Sequence, residues 1–271
     1  MKIRNHKLEG ENTNFKGISK HSGVFNNEMP DTIVIHYTAS GSAESAINTL
    51  SNPNVKASAH IIVDWDGSIT QLIPFNKIAW HAGRSTWNGR TGLNKFSIGI
   101  EIVNPGHLKK VGQQYQSWFG KFYPEEEVMA AIHRNESKER YWHVFKEEQI
   151  KAVKEVCELL IDKYGIKEIL GHEEIAPRRK TDPGPAFPLD KFRDTIFNNR
   201  KESNSDTEEI SKGIVTANEL NIRENPTVAS NKVNSPLPQG TEVTILEKNG
   251  NWLFISTKVK GWVNSNYIEK V

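Results

Sequence analysis

The sequence predicts an α/β (α+β) protein, in which a mixed β-sheet flanked by helices precedes a small all-β barrel. In the first part of the chain, strand-like apolar runs alternate with helix-like stretches, which is typical of a sheet covered by helices. Residues 198–212 are polar and charged, without apolar periodicity, as in a linker. Residues 213–271 form short β runs separated by turn residues. We therefore predict a first domain over residues 1–197 and a second over 213–271.

The first predicted strands are short and rich in β-branched residues. Residues 31–37, DTIVIHY, have the composition of a buried strand. Residues 58–64 and 68–74 flank the dipeptide Asp66-Gly67. This dipeptide favours a β-hairpin, because both of its positions tolerate a positive φ angle.

The next strand alternates between two kinds of side chain. In residues 96–103, FSIGIEIV, three isoleucines share one face of the strand. Ser97, Gly99 and Glu101 share the other face. Small residues with a single carboxylate are typical of the floor of a pocket, not of a packed layer.

A helix, a strand and a rigid loop follow. Apolar residues recur at helical spacing over residues 147–164, and Gly165 is a natural C-terminal stop. Residues 166–171, IKEILG, then favour a strand. The prolines in residues 171–188, GHEEIAPRRKTDPGPAFP, predict a rigid irregular loop that presents side chains and is neither helix nor strand. The pattern in residues 105–145, rich in aromatics and histidines, assigns no elements.

Composition excludes several functional classes. The net charge is +2 and no long basic stripe is present, so we expect no nucleic-acid partner. The one cysteine, Cys157, lies on the apolar stripe of the predicted helix as a small core residue, which fits a reducing compartment. The polar N-terminus lacks a signal-peptide core, and no stretch reaches the roughly 20 apolar residues of a membrane span. We expect a monomer that is cytoplasmic as made, or that reaches the cell wall by a non-Sec route.

Three side chains could form a metal site. His36 ends the first predicted strand, and His172 and Asp182 lie on the proline-rich loop. Two imidazoles and a carboxylate are a standard set for a catalytic zinc with an open fourth position. The separation of His36 from His172 is far too long for a local metal motif. The residue types alone therefore leave open that the histidines are structural and that Asp182 is a turn residue before Pro-Gly.

Five segments occur in a fixed order along the chain: IVIHYTA, SAHIIVDWDGSITQLIP, AWHAGRS, SIGIEIVNP and GHEEIAPRRKTDPGPAFP. Together they resemble the zinc-dependent N-acetylmuramoyl-L-alanine amidases of type 2, which are related to phage lysozyme-type amidases and animal peptidoglycan-recognition proteins. The resemblance covers roughly residues 30–195. It is closer to the branch with an aspartate as third ligand than to the phage branch, which has a cysteine there.

The resemblance implies roles for five residues. It makes His36, His172 and Asp182 the ligands of a Zn²⁺ ion. Glu101 matches the catalytic glutamate, which would accept a proton from water and return it to the leaving amine. Lys180 matches the lysine that faces the substrate carbonyl and would stabilise the developing oxyanion.

Other residues near these segments carry weaker implications. Phage relatives have a tyrosine just before a histidine at the position of Ala59, so no tyrosine role transfers to this chain. His81, Trp80 and Arg84 are candidates for substrate binding. His81 could instead orient a metal ligand, or simply be a loop histidine that anchors Trp80. We interpret His60 as structural.

The second domain resembles bacterial SH3-like domains, whose usual role is to bind cell-wall peptides. The resemblance rests on LNIRENPTVASNKV, LPQGTEVTILEKNGNW and KGWVNSNYI. Packing alone could explain its two tryptophans, and we favour that alternative for Trp252. The candidates for a binding groove are Asn221, Arg223, Trp252, Trp262 and Tyr267.

The resemblance implies an enzyme that hydrolyses the amide between N-acetylmuramic acid and L-alanine in peptidoglycan or muropeptides. The alternative is a non-catalytic peptidoglycan-binding protein, whose signature would be a missing ligand; all three ligands are present. A third hypothesis is a stem-peptide endopeptidase. The sequence leaves open whether the biological role is that of an endolysin, a recycling enzyme or an autolysin.

Overall fold

The computed structural model describes residues 1–26, 29–204, 212–228, 230–249, 252–257, 260–264 and 268–270. The chain divides into two compact units, residues 1–199 and 200–271. No helix in the described ranges is both long enough and apolar enough to cross a bilayer.

The first unit is built from short strands and helices in mixed order. Its helices are α1 (Ala43–Ser51), α2 (Glu147–Tyr164), α3 (His172–Ile175) and α4 (Leu189–Asn204), with 3-10 turns at Leu93–Lys95 and Glu125–Glu127. Its strands are β1 (Lys2–Arg4), β2 (Lys7–Glu9), β3 (Thr13–Phe15), β4 (His21–Val24), β5 (Thr32–Tyr37), β6 (Ile61–Val63), β7 (Ile69–Gln71), β8 (Lys77–Ala79), β9 (Thr86–Trp87), β10 (Arg90–Thr91), β11 (Ser97–Ile102), β12 (His107–Val111), β13 (Gln114–Gln116), β14 (Phe122–Tyr123), β15 (Val128–Ile132), β16 (Glu139–His143) and β17 (Glu168–Gly171).

The central sheet has the strand order β17-β5-β11-β6-β7-β3. Strands β17, β5, β11 and β6 run parallel, and β6 and β7 form the predicted antiparallel hairpin around Gly67. Strand β5 is almost wholly buried, as a parallel strand covered on both faces should be. These elements confirm the predicted mixed sheet.

Helix α2 covers one face of this sheet. Its apolar stripe packs on the isoleucines of β5, β6 and β11 in the main core, and Gly165 ends it in the left-handed region at φ 67°. The predicted helix and its stop are both confirmed. Because α2 occupies the isoleucine face, the face with Ser97, Gly99 and Glu101 is left for the site.

Residues 105–145 form a second sheet with the strand order β14-β13-β12-β16-β15. Its strands are two to five residues long. Aromatic rings hold it together: Tyr115 packs on Tyr141 with centroids 4.9 Å apart, and Trp142 is fully buried. Strands this short hold too few alternations to be recognised, which explains why the sequence pattern assigned no element here.

Helix α4 extends to Asn204, so residues 198–204 of the predicted linker are helical. The buried side chains of Leu189, Phe192 and Ile196 start this helix. Extending a formed helix requires no new nucleation, and lysine, arginine and glutamate favour it, so it continues past its apolar part. Residues 205–211 of the linker lie outside the described residues.

The second unit is a small β structure, as predicted. Its main sheet has the order β23-β22-β21-β18-β24, and β19 pairs with β20. Alternating residues of β22 face its separate core, with Leu253 and Ile255 buried. The strands are β18 (Lys212–Val215), β19 (Glu219–Leu220), β20 (Leu237–Pro238), β21 (Glu242–Asn249), β22 (Trp252–Ser256), β23 (Lys260–Asn264) and β24 (Ile268–Lys270).

Candidate active site

Three neighbouring parallel strands bring candidate residues to one edge of the central sheet. His36 in β5 lies opposite Glu101 in β11. Gly171, the last residue of β17, lies opposite Ile35, so the next residue, His172, is level with His36. The carboxyl ends of these strands therefore meet at one edge, which is where ligands bind in open α/β sheets.

The segment 171–188 folds Asp182 back beside His172. Helix α3 begins at His172, because the Gly171 N–H donates to Glu174 Oε2 at 2.8 Å and caps it. The Glu173 N–H then donates to the Asp182 carbonyl at 2.8 Å. The prediction of a loop without a helix is therefore wrong for this one turn. The cap allows four residues to form one helical turn, and the prolines that follow prevent the helix from continuing.

His36, His172 and Asp182 form a buried cluster that could hold a metal ion. One ligand atom from each lies within 4.8 Å of the others. Asp182 Oδ2 is 2.8 Å from His36 Nδ1 and 3.0 Å from His172 Nδ1. All three side chains are less than one-tenth exposed, so the charge of Asp182 is shielded from water.

Hydrogen bonds on the outer side of each imidazole decide which nitrogen faces Asp182. His172 Nε2 donates to the Ala82 carbonyl at 3.2 Å, and His81 Nε2 donates to the Ser97 carbonyl at 3.2 Å. Neutral His81 must then accept at Nδ1 from His36 Nε2, 3.0 Å away. These tautomers are assigned from the network.

A lone pair on Nδ1 of both His36 and His172 consequently faces the carboxylate of Asp182. Two acceptor-to-acceptor contacts of about 3 Å repel unless a cation lies between the atoms. Two imidazole nitrogens and one carboxylate oxygen are a donor set that zinc accepts, with a fourth position left open. The chemistry of these donor atoms therefore suits a bound metal ion.

The charge states suit the same interpretation. Burial, reinforced by His172, lowers the pKa of His36 to about 4, so this ring is neutral at pH 7. Burial by itself would raise the pKa of Asp182, but the imidazoles of His172 and His36 beside its carboxylate hold that pKa below its ordinary range. The cluster thus presents an anion and uncharged nitrogen, as metal ligands require.

His81 rests on the small-residue face of β11. A Cβ atom added to Gly99 would lie 2.4 Å from Cγ of His81, so only glycine leaves room for this ring. Ser97 lies beneath the far end of the ring, with Oγ 3.3 Å from Nε2. The small residues that predicted a pocket floor, Ser97 and Gly99, therefore pack against the ring of His81.

Glu101 and Lys180 flank the cluster. Oε2 of Glu101 is buried and has no hydrogen-bond partner in the described part of the chain. Burial, and then the charge of Asp182, raise the pKa of Glu101 well above its ordinary value, while the ammonium of Lys180 opposes them. An unpaired carboxylate with a raised pKa is a poised proton acceptor.

Comparisons with known proteins agree with this geometry. A family model described as N-acetylmuramoyl-L-alanine amidase matches residues 26–185, more than half of the chain, including the whole cluster. The chain belongs to the N-acetylmuramoyl-L-alanine amidase family. A model of the bacterial SH3 domain matches residues 218–269 of this amidase-family chain.

Individual relatives resemble the amidase domain. AmiD of Escherichia coli (strain K12), an N-acetylmuramoyl-L-alanine amidase, is 37% identical over 165 residues, or 58% of this chain and 49% of AmiD. AmpD of the same strain, a 1,6-anhydro-N-acetylmuramyl-L-alanine amidase, is 37% identical over 142 residues, or 52% of this chain and 58% of AmpD. The chain thus spans about half the length of these relatives. A crystal structure of AmpD has the same fold, with a TM-score of 0.53, 24% identity and coverage of 72% of this chain and 99% of that one.

The remaining predicted residues of the amidase domain lie at two places. The Trp80 indole donates to Ser22 Oγ at 2.7 Å, and Nδ1 of His81 lies 3.0 Å from Nε2 of His36. Arg84 is exposed beside Arg178 and Arg179 in a groove of about 820 Å³.

Sequence reasoning missed two residues that support the site. Arg179 donates to the carbonyls of Ala82 and Arg84, at 3.1 and 2.9 Å, and so holds their loop beside His172. His133 lies 2.6 Å from the buried carboxylate of Glu173. Both contacts join segments far apart in the chain, so no local pattern indicates them.

The structure describes the side chains of three of the five candidate groove residues in the second unit. Asn221 has a buried Oδ1 without a partner in the described ranges, while Arg223 donates to the Ser230 carbonyl at 2.6 Å. Trp252 is half-buried on the face opposite Leu253, so it is not a core residue. Neighbouring residues of a strand face opposite sides, so Trp252 faces away from the core into which Leu253 points. Tyr267 and the side chain of Trp262 lie outside the described residues.

Proposed function

We propose that this chain hydrolyses the amide bond between N-acetylmuramic acid and L-alanine in peptidoglycan or its fragments. The observation that carries the proposal is the meeting of His36, His172 and Asp182 beside an unpartnered Glu101. The family match and the activities named for AmiD and AmpD support the same bond.

We propose Zn²⁺ as the resident ion, held by Nδ1 of His36, Nδ1 of His172 and the carboxylate of Asp182. A zinc ion in such a site lowers the pKa of bound water to about 7 and polarises a carbonyl. His81 acts as a positioning residue, because its bond to His36 Nε2 keeps the lone pair of Nδ1 directed inwards.

Glu101 is the proposed general base and acid. It accepts a proton from the attacking water and later delivers it to the departing amine of L-alanine. Its raised pKa suits both tasks, since a stronger base takes the proton more readily and still returns it to an amine. Lys180, whose charge reaches Glu101 and His36, stabilises the negative charge that develops on the carbonyl oxygen.

The substrate is expected to extend along the groove beside the site. Arg84, with Arg178 and Arg179, gives this groove positive charge suited to the carboxylates of a stem peptide. Trp80 lies next to His81 in the chain and provides an aromatic surface at the rim. We propose that the second unit contributes affinity for the polymeric cell wall.

Metal analysis combined with product analysis tests the mechanism. His36→Ala and Asp182→Ala should lose bound zinc and hydrolysis together. Glu101→Gln should retain zinc while kcat falls by about 10²- to 10⁴-fold. His81→Ala should weaken zinc affinity by about 10- to 100-fold in a chelator competition.

The exposed Glu44→Gln variant is the control and should behave as wild type. A Glu101→Gln enzyme with normal kcat would show that the base is misassigned. Wild-type protein that binds peptidoglycan but yields no product would favour the non-catalytic alternative. Mass spectrometry distinguishes an endopeptidase, because its products carry a shortened stem peptide. Comparing sacculi with soluble anhydro-muropeptide, each with and without chelator, separates wall lysis from recycling.

A further inference from the structure

An exposed aromatic turn lies on the inserted sheet. Trp118 and Phe119 occupy the turn between β13 and β14, and Trp118 is 74% exposed, the largest value among the tryptophan and phenylalanine side chains that the structure describes. The two rings stand edge to face, with centroids 5.6 Å apart and planes at 87°. Together they form a corner with one open aromatic face.

The turn that carries this corner is rigid. The Ser117 N–H donates to the Lys121 carbonyl at 2.9 Å, and the Gly120 N–H donates to the Ser117 carbonyl at 3.0 Å. Ser117 Oγ accepts from the Lys121 N–H at 3.1 Å. These hydrogen bonds fix the backbone of the turn on which the exposed Trp118 side chain lies.

The corner is attached to the loop that follows the metal-site strand. The Trp118 indole N–H donates to the Ala39 carbonyl at 2.8 Å. The Phe119 ring packs on Gly41, where an added Cβ would lie 3.3 Å from it. Ala39 is three residues after His36, a distance of at most about 11 Å along the chain.

We propose that Trp118 stacks against a sugar ring of the glycan strand, next to the muramoyl residue whose amide is cleaved. The inference rests on the proposed function, because a muramoyl group within a glycan continues past the site into neighbouring sugars. A pyranose ring offers a face of C–H groups that packs on an aromatic face. The indole N–H is already bonded to Ala39, so Trp118 can offer its ring face without leaving a polar group unpaired.

Two substrates of different length test this inference. Trp118→Ala should lower kcat/KM on polymeric peptidoglycan by about 3- to 10-fold. It should leave kcat/KM on a monosaccharide substrate, N-acetylmuramoyl peptide, within twofold of wild type. Trp118→Phe keeps an aromatic face without the N–H, and should retain most of the activity on the polymer. Ile132→Ala removes another exposed apolar side chain, from the opposite edge of the same sheet, and should match wild type.

Three outcomes would overturn the inference. An equal fall on both substrates would mean that Trp118 supports the loop at Ala39 and not a sugar. Equal loss in the Phe and Ala variants would assign its role to the hydrogen bond. No fall on either substrate would leave the exposed ring without a glycan role.

A binding assay separates failure of this inference from failure of the proposed function. If wild type cleaves neither substrate, the proposed function fails. Binding of peptide-free glycan strands to wild type and Trp118→Ala, measured by calorimetry, then decides the inference by itself. Weaker binding in the variant would support the stacking site, and equal binding would overturn it.

Discussion

Burial sets the charge of three histidine rings in the first unit, and hydrogen bonds set which nitrogen of each ring carries the proton. Burial is the largest cause that lowers the pKa of His36, His60 and His81, so all three rings are neutral at pH 7. A neutral ring donates at one nitrogen and accepts at the other, so its partners set its tautomer. His60 shows this clearly, because Nδ1 accepts from the Gly99 N–H at 2.9 Å and Nε2 donates to the Lys77 carbonyl at 2.8 Å.

His60 should make the protein less stable in acid. Its pKa is about 4 in the fold against an ordinary value of 6.5, so between these values the unfolded chain binds a proton that the folded protein does not. Its contribution is therefore constant above pH 6.5 and falls as the pH drops to 4, by about 3 kcal/mol in total. Urea unfolding at a series of pH values measures this slope.

The His60→Gln variant isolates the contribution of this ring. Glutamine can still donate to the Lys77 carbonyl but does not titrate, so the variant should show a shallower fall in stability between pH 6.5 and 4. Equal slopes in the variant and wild type would show that His60 is not the group responsible.

At the scale of elements, the inserted sheet is joined through Glu173 to the segment that carries His172 and Asp182. This buried carboxylate lies 2.6 Å from His133 Nε2 and accepts from the Gly184 N–H at 2.9 Å. His133 in turn stacks on Trp142, with ring centroids 5.6 Å apart. Since Glu173 directly follows His172, we infer that the insertion holds the segment that supplies two of the proposed ligands.

Removing His133 should loosen this connection. His133→Ala leaves Glu173 with fewer partners in a buried position, which should lower the free energy of unfolding by about 1–3 kcal/mol. Denaturant unfolding measures the loss. Lys2→Ala, which breaks an exposed pair with Glu9, is the control and should change stability by less than about 0.5 kcal/mol. A stable His133→Ala protein would mean that the remaining partners of Glu173 suffice.

The whole molecule consists of two units with separate cores. The first core packs α2 against the central sheet, and the second lies among the strands after residue 212. Each core is made of residues from its own unit alone, which indicates that each unit folds on its own.

Truncation after Asn204 should therefore leave the first unit folded. Its Tm should stay within about 3 °C of the corresponding transition of the full chain, as measured by calorimetry. Hydrolysis of a soluble muropeptide should be unchanged, while hydrolysis of intact sacculi should fall, because the proposed wall-binding unit is lost. Unchanged activity on sacculi would show that the second unit adds no useful affinity for the wall.

Local patterns predicted most of the secondary structure. The isoleucine alternation in β11, the β-branched run in β5 and the apolar stripe of α2 are each set by neighbouring residues, so they can be recognised without the fold. The same reasoning failed for the inserted sheet and for helix α3. Short strands carry little periodicity, and α3 depends on a cap from Glu174 that competes with nearby prolines.

By itself, the sequence determined which donors are available, His36, His172, Asp182 and Glu101, and the elements that carry them. Only the tertiary structure decided that these donors meet, which imidazole nitrogens face the carboxylate, and that His133 and Trp118 lie beside the site's segments. The physical reason is that periodicity and turn preferences are local. Strand register and long-range hydrogen bonds instead join residues that are tens of positions apart, and they form only once the sheet is packed.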